Sequence, residues 1–166
     1  RSTFATTASY LAANPHTHGV PVLSFPDYGL ELSRRFRALK VWLCLKEQGV
    51  RRFEEQIRQN ILQARYLAEQ LQSRAELELC APVTLNVVCF RFNAAGLSSE
   101  GLNALNLEIL HRLQQEGMVF VSQTRLQARI VLRAAIPTHR PRRQDLDLLV
   151  AEVVRLGGEL VPDFCE

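Results

Sequence analysis

Arginine supplies nearly all the positive charge of this sequence, so its placement is the first guide to possible chemistry. Eighteen arginines stand beside two lysines, Lys40 and Lys46, and the formal net charge is +3. The sole basic run is Arg140-Pro141-Arg142-Arg143, and no aromatic residue interleaves with it. A nucleic-acid surface needs a broader basic stripe than this. We therefore interpret the run as a solvated loop that precedes a helix.

Another group of cations crowds the first turns of a helix predicted over residues 31–48. These cations are Arg34, Arg35, Arg37 and Lys40. Ser33 is the predicted N-cap of this helix, and Gly49 is predicted to end it. Exposed cations near a helix N-terminus cost roughly 0.3–1 kcal/mol each through the helix dipole. We expect groups outside the helix to offset that cost.

The histidines and cysteines do not show the spacing of a metal site. His16 and His18 are one residue apart with no acidic or thiol partner nearby, which indicates a loop that binds nothing. The four cysteines contain no CxxC pair: Cys44, Cys80, Cys89 and Cys165. Three of them lie in apolar segments, which predicts buried free thiols in a reducing cytosol rather than disulfides or zinc ligands.

Apolar spacing predicts the helices and strands that must position these side chains. Residues 1–30, rich in Pro and Gly, are predicted to form an extended arm. Helices are predicted over 31–48, 50–73, 98–116 and 142–156, and strands over 76–80, 84–92, 118–123 and 127–136. We expect the last strand pair to turn near Thr124-Arg125 and the last helix to end at Gly157-Gly158. The apolar positions expected to face inward are Phe53, Ile57, Ile61, Ala64, Ala68, Leu71, Leu102, Leu105, Ile109, Leu113, Leu146, Leu149, Val150 and Val153.

This order of elements predicts an α+β fold with a small, mostly antiparallel sheet of about four strands and helices packed on one face. We divide the chain into an arm at 1–30, two helices at a domain junction at 31–75, and an α+β domain at 76–166. A hydrophobic content of 47% suits one domain with a real core. No apolar run approaches the ~18 residues needed to span a bilayer. Arg1 as the first residue indicates that the start is a cut.

The last predicted strand separates an apolar face from a mixed face. Ile130, Leu132, Ala134 and Ile136 alternate with Arg129, Val131, Arg133 and Ala135. An arginine among small residues suits contact with another protein body. An exposed sheet face that carries a scattered arginine is equally consistent with the pattern, so both interpretations stay open.

Three segments, taken in chain order, carry a family resemblance. They are residues 33–42 (SRRFRALKVW) followed by Gly49-Val50, residues 83–91 (VTLNVVCFR), and residues 131–136 (VLRAAI) followed by Asp145-Leu146-Asp147 and Leu156-Gly157. They resemble the helix after the lysine-bearing region, the strand entering the small domain, and the C-terminal strand and helix of group II pyridoxal-phosphate-dependent amino acid decarboxylases. That family includes the aromatic amino acid, histidine and glutamate decarboxylases.

The resemblance implies that the chain is the C-terminal portion of a fold-type I enzyme, beginning shortly after the cofactor lysine. Family members hold the cofactor as a Schiff base on a lysine that typically follows a histidine, whereas neither Lys40 nor Lys46 does so. The glycine-bearing βα pattern of a phosphate cradle is also absent from the sequence. Pyridoxal 5'-phosphate is therefore expected to be bound mainly by a large domain outside this sequence. Alone, the chain should be inactive.

Two residues receive roles from the resemblance. Tyr10 lies where the family has a mobile active-site loop with a tyrosine, which protonates the carbon that carbon dioxide leaves; a tyrosine that merely anchors the arm is the other interpretation. Arg133 resembles the arginine that binds the substrate's α-carboxylate, for which a planar, always charged guanidinium is suited. Pairing of Arg133 with a nearby Asp or Glu is the competing interpretation.

The resemblance also implies the partners of the chain. These are the large domain of the same polypeptide, a second subunit of a homodimer and a small-molecule amino acid substrate, in a cytoplasmic enzyme that removes the α-carboxylate to give an amine and carbon dioxide. No nucleic-acid or membrane partner is expected. A stand-alone α+β ligand-binding or regulatory module is the alternative to this function.

Overall fold

The computed structural model describes residues 16–17, 20–21, 35–138 and 140–164. The chain divides into two compact units, Arg1–Gly49 and Val50–Glu166. Ser33 and Tyr10, which carried predictions, lie outside the described residues. None of the helices in the described parts of the chain has the length and apolar character needed to cross a membrane.

The described part of the first unit contains a small strand pair and one helix. β1 (His16–Thr17) pairs with β2 (Val20–Pro21) in antiparallel orientation. The helix α1 spans Arg37–Gln48. Gly49 follows it with a φ of 76°, a backbone conformation that glycine adopts without steric cost, so the predicted end of this helix is confirmed.

The prediction that α1 starts near residue 31 is wrong. Phe36 has a non-helical backbone, and the amide of Arg37 donates a hydrogen bond to the carbonyl oxygen of Arg35 at 2.8 Å. Phe36 carries no side-chain group that can cap the helix. The first turn of α1 therefore contains Arg37 and Lys40 and no acidic side chain.

The second unit alternates helices and strands. Its elements are α2 (Val50–Gln72), β3 (Leu77–Leu79), β4 (Val87–Phe92), α3 (Ser99–Glu116), β5 (Ser122–Leu126), β6 (Arg129–Ala135), α4 (Arg143–Leu160) and a short 3-10 helix (Val161–Phe164). The strands form one antiparallel sheet in the order β3-β4-β6-β5. The predicted α+β fold with a four-stranded antiparallel sheet is therefore confirmed.

Three helices cover one face of this sheet and enclose the core. Alternate residues of β4 and β6 are buried there, among them Val88, Phe90 and Leu132. Asn106 of α3 is also fully buried, and its amide is satisfied: it accepts from the Phe92 amide and donates to the carbonyl oxygens of Phe92 and Leu102. One buried side chain thus joins the end of β4 to α3 without an unpaired polar atom.

The β5–β6 hairpin turns at a different place from the one predicted. Thr124 and Arg125 lie inside the ladder, and the turn is Gln127-Ala128, with φ values of 47° and 67°. Such left-handed residues match the twist of a two-residue hairpin but usually are Gly, Asn or Asp. Here Asn103 of α3 supports the turn, since its amide donates to the Ala128 carbonyl oxygen and accepts from the Ile130 amide.

The last helix continues through the glycines predicted to end it. α4 runs to Leu160, and Gly157 is buried within it. A Cβ atom at Gly157 would lie 2.2 Å from Cε2 of Phe92, whereas a Cβ atom at Gly158 would meet nothing within 4 Å. Gly157 is therefore present because the Phe92 ring packs against the helix backbone, not because the helix ends there.

Gly157→Ala is expected to destabilise the protein, and Gly158→Ala is its matched control. The alanine at 157 would overlap the Phe92 ring and should lower the free energy of unfolding by about 1–3 kcal/mol. The alanine at 158 has open space and should raise it by up to about 1 kcal/mol, because alanine favours helix over glycine. Urea unfolding measures both variants, and equal effects at the two positions would contradict the packing argument.

Candidate functional site

The sheet face opposite the helices carries the candidate site. Cross-strand pairing places Arg133 of β6 between Cys89 of β4 and Ser122 of β5. Its neighbours along the strand, Leu132 and Ala134, are buried in the core, while Arg133 is exposed. The predicted alternation is confirmed from Leu132 to Ala135, whereas Val131 on the mixed face is also fully buried. The guanidinium of Arg133 points away from the helices.

Arg133 has no acidic partner in the described parts of the chain. No carboxylate within residues 35–138 or 140–164 comes within ion-pair distance of its guanidinium, although other arginines of the same face are paired. Its backbone carbonyl oxygen accepts a hydrogen bond from the Ser122 hydroxyl at 3.3 Å. The positive charge of Arg133 is thus available to an anion from outside these residues.

Glu78 is the acidic centre of this face. Its carboxylate accepts hydrogen bonds from Nε of Arg91 at 2.7 Å and from Nη1 of Arg129 at 2.8 Å. Arg91 is 8% exposed, so its charge needs this partner. Burial raises the pKa of Glu78, but the hydrogen bond and charge of Arg91 and the charge of Arg129 outweigh it and hold the pKa below its usual value.

The sequence analysis did not identify Glu78. Alternation within residues 76–80 indicates that Glu78 lies on the opposite face of β3 from Leu77 and Leu79. In the structure Glu78 lies directly opposite Arg91 of β4. Without the register of β3 against β4, the partner of Glu78 cannot be assigned. Arg129 reaches the same carboxylate from β6, which no local pattern indicates.

The cysteines are free but less buried than predicted. Cys44 is exposed on α1, and Cys80 and Cys89 are half-buried. The prediction of buried thiols is therefore wrong for Cys44, because α1 has no buried residue at all. Burial raises the pKa of the Cys80 thiol to about 11, and burial also raises the pKa of Cys89.

The described residues do not fit a pyridoxal group. Both lysines lie exposed on α1, and the ammonium group of Lys46 stands 5.9 Å from the centroid of the Trp42 ring. A cofactor bound through a lysine needs an enclosing site that orients it, whereas the side chains of both lysines are exposed to solvent. In these parts of the chain there is likewise no group of three or more His, Cys, Asp or Glu residues that could hold a metal ion.

Four residues named in the sequence analysis, Tyr10, His18, Arg34 and Cys165, lie outside the described residues. His111 is exposed on α3, within 3.8 Å of the Glu108 carboxylate. Arg133 is therefore the one residue of the predicted substrate and catalytic pair whose surroundings the structure describes.

Glu78→Gln is expected to destabilise the protein at neutral pH by about 1–3 kcal/mol, because Arg91 and Arg129 would lose a charged acceptor. The lowered pKa means that this stabilisation is complete above the ordinary glutamate pKa and is lost as the pH falls through the lowered value. The variant and the parent chain should therefore converge in urea unfolding at acid pH. Glu76→Gln, at an exposed neighbouring position, should change little, and a Glu78 effect that persists in acid would contradict the ion-pair argument.

Comparison with known proteins gives the chain its relatives. The profile of the pyridoxal-dependent decarboxylase conserved domain matches residues 1–93. Tryptophan decarboxylase 2 of Oryza sativa subsp. japonica is 31% identical over 84% of the chain, and an aromatic-L-amino-acid decarboxylase of Bacillus atrophaeus is 30% identical over 83%.

Solved structures agree in fold. The Oryza sativa TDC structure with PLP and tryptamine superposes with a TM-score of 0.78, at 25% identity over 96% of this chain and 33% of that one. The Catharanthus roseus tryptophan decarboxylase in complex with L-tryptophan has a TM-score of 0.71, at 26% identity over 82% of this chain and 29% of that one.

The chain spans 29% of the length of each of the two curated relatives. The family profile covers more than half of the chain, and the structural likeness extends over the part that follows it. The chain belongs to the pyridoxal-dependent decarboxylase family.

Proposed function

We propose that the chain is the C-terminal part of a decarboxylase that removes the α-carboxylate of an L-amino acid, and that Arg133 binds that carboxylate. The observation that carries the proposal is the exposed guanidinium of Arg133, which lacks an acidic partner in the described residues and lies on a sheet face whose other arginines are paired. A guanidinium binds a carboxylate through two parallel charge-assisted hydrogen bonds. The family membership supplies the reaction class.

Exposed apolar side chains support a large domain as the partner of this chain. Val50, Ile57 and Leu62 of α2 are 69%, 57% and 55% exposed. They line a groove of about 650 Å³ along that helix. Contiguous apolar surface of this kind is typical of protein interfaces. We propose that the remainder of the parent polypeptide covers it, and that a second subunit completes a homodimer.

Pyridoxal phosphate is the cofactor of this family. Because the described residues do not fit it, we propose that the missing large domain binds it and that the chain alone is inactive. The substrate is then a small-molecule amino acid whose side-chain specificity is set outside this chain. A cytoplasmic location and the lack of nucleic-acid or membrane partners remain predictions of the sequence analysis.

A stand-alone ligand-binding module is the alternative function, and one cavity favours it. This cavity of about 700 Å³ is lined by Arg140, Arg142, Arg143, Tyr66 and other side chains. The Tyr66 hydroxyl donates to Asp147 at 2.6 Å, and the Arg143 guanidinium stands 5.1 Å from the Tyr66 ring centroid. A module of this kind would bind its ligand without the large domain, whereas the decarboxylase proposal requires the longer parent for activity.

In the full-length parent, Arg133→Gln should lower kcat/KM for the amino acid by about 100-fold, because the variant loses charge-assisted hydrogen bonds to the carboxylate. Binding of the product amine, measured as a competitive inhibitor, should stay nearly unchanged because the amine has no carboxylate. Steady-state decarboxylation and amine inhibition provide the two measurements.

Arg129→Gln is the matched control for this test. Arg129 lies on the same strand and face but is paired with Glu78. Its loss should reduce stability and leave the discrimination between amino acid and amine intact. If Arg133→Gln weakened the amine and the amino acid equally, Arg133 would not be the carboxylate-binding residue.

We also propose that Tyr10 donates the proton to the carbon that carbon dioxide leaves, as the family resemblance implies. Tyr10→Phe in the full-length parent should then lower kcat for amine formation by about 10²–10⁴-fold with little change in KM, because a positioned proton donor is lost. Tyr28→Phe, also in the N-terminal 30 residues, is the control and should retain activity. Full amine production by the Tyr10 variant would remove Tyr10 from this role.

A further inference from the structure

Two cysteines face each other across neighbouring strands. The pairing of β3 with β4 places Leu79 opposite Phe90, and the next pair in the same register is Cys80 and Cys89. The ladder continues to this pair, since the Cys80 amide donates to the Cys89 carbonyl oxygen at 2.8 Å. Directly opposed residues of an antiparallel pair project their side chains to the same face.

The backbone separation of such a pair suits a covalent link. Opposed residues of an antiparallel pair that are joined by a backbone hydrogen bond, as Cys80 and Cys89 are, have Cα atoms about 5.5 Å apart. A disulfide requires roughly 4.4–6.8 Å between Cα atoms. The Cα spacing expected for Cys80 and Cys89 therefore lies within the disulfide range, and closing the bond requires their Cβ atoms to approach from about 4.5–5.5 Å to about 3.5–4.5 Å.

We propose that Cys80 and Cys89 form a thiol–disulfide redox site that reacts with a low-molecular-weight disulfide such as oxidised glutathione. The site goes beyond the proposed decarboxylase function and does not depend on it. Both thiols are free in the structure. Cys44, the third cysteine among the described residues, lies on α1 in the other unit.

The exchange needs no further reactant. The Cys89 thiolate attacks one sulfur of the oxidised glutathione, forming a mixed disulfide and releasing one glutathione thiolate. The Cys80 thiolate then attacks the Cys89 sulfur, forming the Cys80–Cys89 bond and releasing the second glutathione. Two electrons pass to the oxidant, and the two thiol protons end on the released glutathione molecules.

The surroundings of the two thiols determine the rate of the exchange through the thiol pKa values. Burial raises the pKa of Cys80 to about 11, with Glu78 adding to the shift and Arg91 and Arg129 opposing it. Burial also raises the pKa of Cys89, against the charge of Arg133. Few thiolates exist at neutral pH, so the exchange is slow there and accelerates as the pH rises.

A Cys80–Cys89 bond would link the edge strand β3 covalently to β4. β3 has three residues and pairs with β4 alone within the described sheet. The bond would close the ten-residue segment 80–89, which restricts the unfolded chain. By loop-closure entropy it should raise the Tm by roughly 5 °C or more.

The test uses the chain with Cys44 and Cys165 both replaced by serine, so that Cys80 and Cys89 are its remaining cysteines. After treatment with oxidised glutathione at mildly alkaline pH, intact mass should show the loss of two hydrogen atoms. A non-reducing peptide map should contain one linked pair of peptides. The Tm should rise, and dithiothreitol should reverse both changes.

A further Cys80→Ser replacement is the matched variant, and it should stop at a stable glutathione adduct on Cys89. Circular dichroism checks that this variant folds. If it does not fold, the peptide map of the chain that retains both Cys80 and Cys89 tests the proposal alone. Unchanged mass, glutathione adducts at both cysteines, or disulfide-linked dimers in place of the internal bond would each overturn the proposal.

Discussion

One carboxylate between two guanidinium groups determines the charge balance of the sheet face opposite the helices. Glu78 accepts hydrogen bonds from Arg91 and from Arg129, and so compensates a nearly buried cation and a half-buried one together. Removing a buried charge from water is costly unless a partner is fixed beside it. Since β3, β4 and β6 each contribute one of the three residues, the interaction also links these three strands on the face that carries Arg133.

This pairing explains why Arg133 differs from the other arginines of the face. Its register partners are Cys89 and Ser122, neither of which carries a negative charge in its ordinary state. Glu78 already serves two cations, so the described face has more guanidinium groups than carboxylates. The excess charge falls on the exposed Arg133, which has no acidic partner among the described residues.

Local spacing predicted most of the buried positions correctly, but Ile57, which was predicted to face inward, is 57% exposed. The predicted stripe of α3, for example, is buried at Leu105 and Ile109. Long-range contacts account for the failures. The turn at Gln127-Ala128 depends on Asn103 of α3, and α4 passes through Gly157 because the Phe92 ring needs that space. The residues adjacent in sequence to these two positions do not indicate the contacts with Asn103 and Phe92.

The same division applies to the candidate site. Strand alternation alone predicts that Arg133 faces away from the core, because the period of two is a local property. That Arg133 lacks an acidic partner among the described residues is a property of register, since a slip of β3 by two residues would move Glu78 away from Arg91 and change which arginine it neutralises. The sequence therefore predicted the direction of the side chain, and the structure was needed to establish its charge balance.

The thiol beside Arg133 bears on that balance as well. A thiolate at Cys89 would place a negative charge opposite the guanidinium and compete with any carboxylate for it. Burial prevents this by keeping the pKa of Cys89 raised, although Arg133 itself acts in the opposite direction. A neutral thiol leaves the full positive charge of Arg133 available, and a disulfide at the same position would do so too, because neither form carries charge. The net positive charge of this face thus depends on two conditions. Glu78 neutralises part of the charge of Arg91 and Arg129, and the sulfur of Cys89 stays uncharged beside Arg133.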